Sequence, residues 1–224
     1  MFVEKKILKQ ESKSTVVNGA GVNLNLFKFK NKENLNINDN KIVVTLATRM
    51  LWDKGVKEFV DSAKLLNEKY KNHLEFRLYG MIDEGNPEAV PESYLNRIEI
   101  NGYLKWFGFN SDMIAVYEAS DIFVLPSYYG EGLPTVLAEA CAMGLPIVTT
   151  NSVGCKECVD EGKNGFKVEI RSANALSKAI EKLANDKDLR FEMGKYSREK
   201  AIKDFDQEKI VAQYLKVFES MTIN

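Results

Sequence analysis

Three short, nearly unbroken apolar runs constrain this chain most: IVVTLA (Ile42 to Ala47), IFVLP (Ile122 to Pro126) and PIVTT (Pro146 to Thr150). A strand with one wet face alternates apolar and polar residues. A continuous run belongs instead to a strand covered on both faces, as in a parallel sheet with helices above and below. Between the runs the period changes. Val56, Phe59, Val60, Ala63, Leu65 and Leu66 recur at three-to-four spacing, which predicts an amphipathic helix over Gly55 to Lys71. LEFRLYG (Leu74 to Gly80) reads as another strand, followed by a loop rich in Asp, Glu, Gly and Pro over 82–92. A short helix and a strand near Ile98 to Ile100 lead to Gly108, and Asn110, Ser111 and Asp112 are N-cap candidates for a helix through Ala119. Pro134 to Met143 reads as helical, with Gly144 as its stop signal. Further helices are expected over Ala173 to Ala184, Leu189 to Lys203 and Gln207 to Met221, Gly194 being a weak point in the second. Strands alternating with helices in this order predict an α/β fold on a parallel sheet.

Composition excludes several classes. The formal net charge of -1 argues against a nucleic-acid binder. No run approaches the length of a transmembrane helix, and MFVEKKILKQ lacks the apolar core of a signal peptide, so the chain reads as cytoplasmic. The three cysteines are too few for a disulfide framework. Cys155 and Cys158 form a C-x-x-C, but only Cys141 and His73 remain as partners for a zinc ion, in no second pair, so no metal is expected. Spacing alone leaves a redox pair or two small residues at a helix start. His73, in polar KNHL, reads as surface. Gly19-Ala20-Gly21 lacks the third glycine of a dinucleotide fingerprint, that place being taken by Leu24. Neither a P-loop nor a G-x-S-x-G turn occurs.

Ligands of open parallel sheets bind beyond the carboxyl ends of strands. Arg49 and Lys54 lie just past the first apolar run and Glu131 just past IFVLP, so the three share one crevice if those strands are neighbours. On position alone Arg49 and Lys54 are equally well a solvated charged turn. The segment EGLPTVLAEACAMG says more. Gly132 allows close backbone approach, Pro134 suits a first helical turn, and the unpaired N–H groups of a helix start attract anions. Glu139 stands between Ala138 and Ala140 in an otherwise apolar helix, where a charge needs a partner.

At these residues the sequence resembles the retaining glycosyltransferases of family four, whose type B fold pairs two Rossmann-like domains. The matching pieces are VVNGAGVNLNLF (Val16 to Phe27), Arg49-x4-Lys54-Gly55, Gly108, ASDIFVLPS (Ala119 to Ser127), Glu131-Gly132-Leu133-Pro134, Glu139-Ala140, Gly144-Leu145-Pro146 and Gly162-x-Asn164-Gly165. The resemblance implies a Rossmann-like parallel sheet flanked by helices, the C-terminal half of such an enzyme. It implies a nucleotide-sugar donor, with UDP the expected nucleotide, and no cofactor. Arg49, Lys54 and Glu131 would be the catalytic set, the two cations neutralising the diphosphate without metal. Glu139 would take the ribose hydroxyls and Glu131 a hydroxyl of the transferred sugar. Backbone N–H groups from Gly132 through Leu133 and Pro134 to Thr135 would surround sugar and phosphate, and Phe107-Gly108-Phe109 would border the nucleobase. Replacing Arg49 or Lys54 by Ala should then cost turnover more than folding.

The resemblance also divides the chain. Residues 1–40 would be the linker and first strand or loop after a missing N-terminal acceptor domain. Residues 41–205 would form the nucleotide-sugar domain, and 206–224 a C-terminal helix packing back on the missing domain. The expected function is transfer, with retention, to a glycan or lipid-linked acceptor in bacterial surface-polysaccharide or lipid-linked oligosaccharide synthesis. PSYYGEGLP, whose loop is one residue longer than the family's shortest, resembles the members that build lipid-linked glycans. Without the other domain this chain would bind donor but not transfer. Peripheral membrane association, at the cytoplasmic face, would run through that domain. Two rival readings stand beside it: a non-catalytic nucleotide-sugar module working with a separate acceptor-domain chain, and a sugar-nucleotide epimerase of the same fold.

Overall fold

A computed structural model describes residues 17, 19–29, 41–71 and 73–222, the side chains of 221 and 222 excepted. The region expected as a linker over 1–40 therefore lies largely outside the described residues, as do Val16 and Asn18 of the family-like stretch.

Six strands form one sheet: β1 (Ile42–Ala47), β2 (Leu74–Tyr79), β3 (Lys105–Trp106), β4 (Ile122–Leu125), β5 (Ile147–Thr150) and β6 (Gly165–Val168). All pairings are parallel and the order is β3-β2-β1-β4-β5-β6. Strand order reverses between β1 and β4, the place where a doubly wound sheet opens a ligand crevice. Every residue of β4 and β5 is buried, as the unbroken apolar runs require. The helices are α1 (Val56–Tyr70), α2 (Glu92–Ile100), α3 (Met113–Glu118), α4 (Thr135–Ala142), α5 (Ala173–Ala184), α6 (Lys187–Lys200) and α7 (Gln207–Thr222). Helices flank the sheet, α1 packing on α5 and α4 on α6. Of the three cap candidates before α3, Asp112 is the one used, its side chain accepting the Ala115 N–H. The Arg198 guanidinium donates to the carbonyls of Ala142, Phe27 and Leu24, tying the described N-terminal residues to the end of α4.

Several expectations change. Ile98 to Ile100 is the last turn of α2, not a strand: Leu95 and Ile98 are buried at helical spacing while Ile100 is 86% exposed. The edge strand comes later, at Lys105–Trp106, and β6 follows Asn164 without a strong apolar signal. Leu65 points outward from α1. The helix α6 runs unbroken through Gly194 and continues as a π-helical turn over Ala201–Phe205.

Candidate functional site

The chain leaves β1 through a short helical turn at Trp52–Lys54 and enters α1 at Gly55. Gly55 has φ 77°, and a Cβ there would meet the Pro126 carbonyl oxygen at 2.3 Å. Only glycine lets this turn lie against the end of β4. Lys54 is thereby carried under the loop that follows β4. Its ammonium is 2.7 Å from Glu131 Oε1, and the Tyr129 ring lies 5.9 Å away. The Ser127 hydroxyl contacts the same carboxylate oxygen at 3.4 Å and the Asp53 carbonyl at 3.2 Å. Of the three side chains expected to share one crevice, the structure brings Lys54 and Glu131 together, because β1 and β4 are neighbours.

The loop after β5 holds this arrangement from the other side. The Ser152 and Thr150 hydroxyls donate to the Ser127 carbonyl, and the Glu131 N–H reaches the Val153 carbonyl. Gly154, at φ 91°, comes so close that a Cβ would sit 2.3 Å from the Gly132 carbonyl oxygen and 2.6 Å from that of Glu131. No periodicity or charge singled Gly154 out. The signal lay only in its place, a glycine shortly after a buried strand.

Arg49 turns the opposite way. Its guanidinium is 2.9 Å from Asp83 Oδ2 on the loop after β2, and its side chain is 61% exposed. Beside it runs a mainly apolar groove of about 230 Å³ at the ends of β1 and β2, lined by Arg49, Tyr79, Met81, Phe109, Met113 and Val136 among others. The two aromatics flanking Gly108 part company here. Phe109 is 68% exposed and lines the groove, whereas Phe107 stacks on Tyr79 with ring centroids 4.8 Å apart.

The helix α4 begins after Pro134, which sits at the cap with extended backbone. Among the described residues nothing accepts the N–H groups of Gly132, Leu133, Thr135 or Val136, the unpaired donors that a helix start offers to an anion. Glu139, one turn on, has the partner its apolar neighbourhood demands: the Tyr117 hydroxyl donates to Glu139 Oε2 at 2.7 Å. Burial raises the Glu139 carboxyl above its ordinary range, and the Tyr117 bond offsets part of that. Tyr117 itself is pushed well above the usual phenol range by burial and by the adjacent carboxylate. Glu131 and Glu139 thus occupy different settings, one against a cation and one against a phenol.

Other candidates are structural. Asn164 is fully buried, donates to the Cys158 carbonyl and accepts the Asp160 N–H, so it closes the turn before β6. Cys141, Cys155 and Cys158 are free thiols and fully buried, and burial pushes Cys141 up to about 12. His73 is exposed. Among the described residues no group of three or more His, Cys, Asp or Glu side chains could hold a metal ion, and no helix is long and apolar enough to cross a membrane.

Residues 27–200 match the family of glycosyl transferases group 1. Over 186 residues the chain is 36% identical to the N,N'-diacetylbacillosaminyl-diphospho-undecaprenol alpha-1,3-N-acetylgalactosaminyltransferase of Campylobacter jejuni, covering 83% of this chain and 46% of that protein. It is 30% identical over 170 residues to the capsular polysaccharide biosynthesis glycosyltransferase CapM of Staphylococcus aureus, covering 76% of this chain and 44% of that one. The chain therefore spans less than half the length of these curated relatives. Among solved structures, HepE of Anabaena in complex with UDP and glucose superposes with a TM-score of 0.77 at 24% identity, over 89% of this chain and 55% of that one. Sucrose-phosphate synthase of Thermosynechococcus elongatus superposes with a TM-score of 0.82 at 23% identity, over 99% of this chain and 56% of that one. With the family match spanning most of its length, and the expected sheet in place, the chain belongs to the group 1 glycosyl transferases.

Proposed function

We propose that this chain binds a nucleoside-diphosphate sugar, with uridine as the nucleoside, as the donor half of a retaining glycosyltransferase that builds lipid-linked or surface glycans. One observation carries the reading. At the switch point of the sheet a nearly buried ammonium meets a carboxylate, and the start of α4, whose first N–H groups are unbonded among the described residues, reaches an apolar groove of about 230 Å³ through Val136. Cation and N–H groups suit a diphosphate, the groove suits a flat base, and Glu131 suits a sugar hydroxyl. UDP bound to the fold relative HepE, and the diphospho-undecaprenol in the name of the Campylobacter relative, support the choice of nucleotide and acceptor class.

In this reading the sugar–phosphate bond breaks while the acceptor hydroxyl attacks the same face of the anomeric carbon, and the leaving phosphate takes the acceptor proton. Negative charge grows on the diphosphate as the bond lengthens. Lys54 and the start of α4 are held in place before that charge appears, so they stabilise the transition state more than the ground state. Arg49 must leave Asp83 to take part, an exposed bond that costs little to break.

A thermal-shift panel of UDP, GDP and ADP tests the binding claim, since a ligand at a hundredfold its Kd adds about 2.7 kcal/mol of stability. UDP should give the largest shift. A flat response to all three nucleotides rejects the donor site. The anomeric configuration of product made by a complete enzyme containing this chain, read by proton NMR, tests retention.

A further inference from the structure

We propose that Tyr117 is a positioning residue, whose buried hydroxyl holds one carboxylate oxygen of Glu139 so that the other is presented to the ribose diol of a bound nucleotide. This rests on the donor-site reading above. Tyr117 is fully buried on α3, and its hydroxyl lies 2.7 Å from Glu139 Oε2 and 3.3 Å from the Val136 carbonyl oxygen. A phenol has one proton, and the shorter, charge-assisted bond takes it. Glu139 Oε1 has no hydrogen-bond partner among the described residues, which leaves it available to accept from a ligand. The ring cannot swing. It meets Phe27 edge-on at 6.1 Å and Phe123 at 5.3 Å between centroids. A fixed donor thus pins a partly exposed acceptor in one orientation. The bond also sits in the right place: Met113, one turn before Tyr117, and Val136, one turn before Glu139, both line the groove. Packing alone would be served by phenylalanine, and a hydroxyl buried among apolar groups is unfavourable unless bonded.

The test is calorimetric titration of this chain with UDP, 2′-deoxy-UDP and 2′,3′-dideoxy-UDP. It compares wild type, Tyr117→Phe, Glu139→Gln and the double variant. Wild type should prefer UDP to the dideoxy form by about tenfold, a hydrogen bond to a charged acceptor being at stake. Tyr117→Phe should lose most of that preference, and the effect of Phe should vanish in the Glu139→Gln background. The acid limb of UDP binding should also move to higher pH in Tyr117→Phe, because the hydroxyl favours the charged carboxylate that burial disfavours. Cys141 is the other titratable group in electrostatic contact with Tyr117. A purely structural tyrosine would weaken all three nucleotides alike and leave the limb in place, which overturns the proposal. Full ribose preference in Tyr117→Phe overturns it too, and leaves the donor site standing. A wild-type chain that binds UDP and dideoxy-UDP equally removes the ribose from Glu139, and one that binds no UDP rejects the donor reading and this inference together. Tyr117→Met, which lacks the hydroxyl and packs adaptably, repeats the comparison if the Phe variant fails to fold.

Discussion

The Lys54 ammonium stands 2.7 Å from Glu131 Oε1 across the gap between the ends of β1 and β4, with 9% of the Lys54 side chain exposed against 24% of that of Glu131. Arg49, which the motif places beside Lys54, is 61% exposed and bonded elsewhere. The two cations therefore differ in what they do for the fold. Arg49→Ala should leave the melting temperature almost unchanged, since an exposed pair contributes under about 1 kcal/mol, while weakening UDP binding. Lys54→Ala strands Glu131 and empties a packed position, so it should cost about 3 kcal/mol of stability as well as binding. Parallel melts and titrations check this, and equal melting losses in both variants would contradict it.

Glu139 carries a pH signature. Its folded carboxyl is raised by burial, so between the unfolded value and the raised one the folded state holds more protons than the unfolded chain. Stability from this group is present at acid pH and is lost as pH rises through the folded value. Glu139→Gln keeps an acceptor for Tyr117 and removes the ionisation. It should melt no lower than wild type at pH 4 and higher at pH 7, by under about 1 kcal/mol after solvent screening, while binding UDP less well. A variant less stable than wild type at pH 7 would refute the sign.

Gly154 and Gly162 make a matched pair. Both have positive φ, 91° and 73°, but a Cβ at 154 meets the Glu131 and Gly132 carbonyls, whereas at 162 it meets nothing within 4 Å. Gly162→Ala should cost about 1 kcal/mol of backbone strain and leave UDP binding intact. Gly154→Ala should cost more than about 2 kcal/mol and weaken binding several-fold, because it pushes the Glu131 loop away.

The groove separates the two aromatics around Gly108. Phe109→Ala should reduce UDP affinity about tenfold, within the roughly 1–3 kcal/mol of base stacking on an aromatic, with little change in melting. Phe107→Ala breaks the stack on Tyr79 and should lower the melting temperature more than the affinity. The reverse pattern would move the base to the other side of the strand.

The cysteines should be inert in the folded chain. All three are fully buried and their thiols are pushed up by burial, Cys141 to about 12. A thiol reagent at pH 8 should find no fast-reacting group in native protein and three equivalents after denaturation. A rapidly reacting native thiol would reopen the redox reading of Cys155 and Cys158.

Legibility followed the strength of each residue pattern. Ile42–Ala47, Ile122–Leu125 and Ile147–Thr150 were readable because burial on both faces leaves no polar position, and that is visible without neighbours. Lys105–Trp106 and Gly165–Val168 were not: edge strands are short, half exposed and mixed in composition. Arg49, Lys54, Glu131 and Glu139 stood out by motif and by position past strands. Asp83, Tyr117 and Gly154 did not, because each matters only through a residue far away in the chain, 34, 22 and roughly 22 positions distant in turn.

By itself the sequence determined that this chain builds a covered parallel sheet, in which order the layers alternate, and which charged residues lie beyond its strands. Those properties follow from period and polarity, which are local. The tertiary structure decided which charges meet. It set β1 beside β4, so that Lys54 found Glu131, turned Arg49 to Asp83, and brought a buried phenol to Glu139. The reason is physical: a hydrogen bond or ion pair depends on a few ångströms of distance, and only strand order and the close approaches at Gly55 and Gly154 set those distances here.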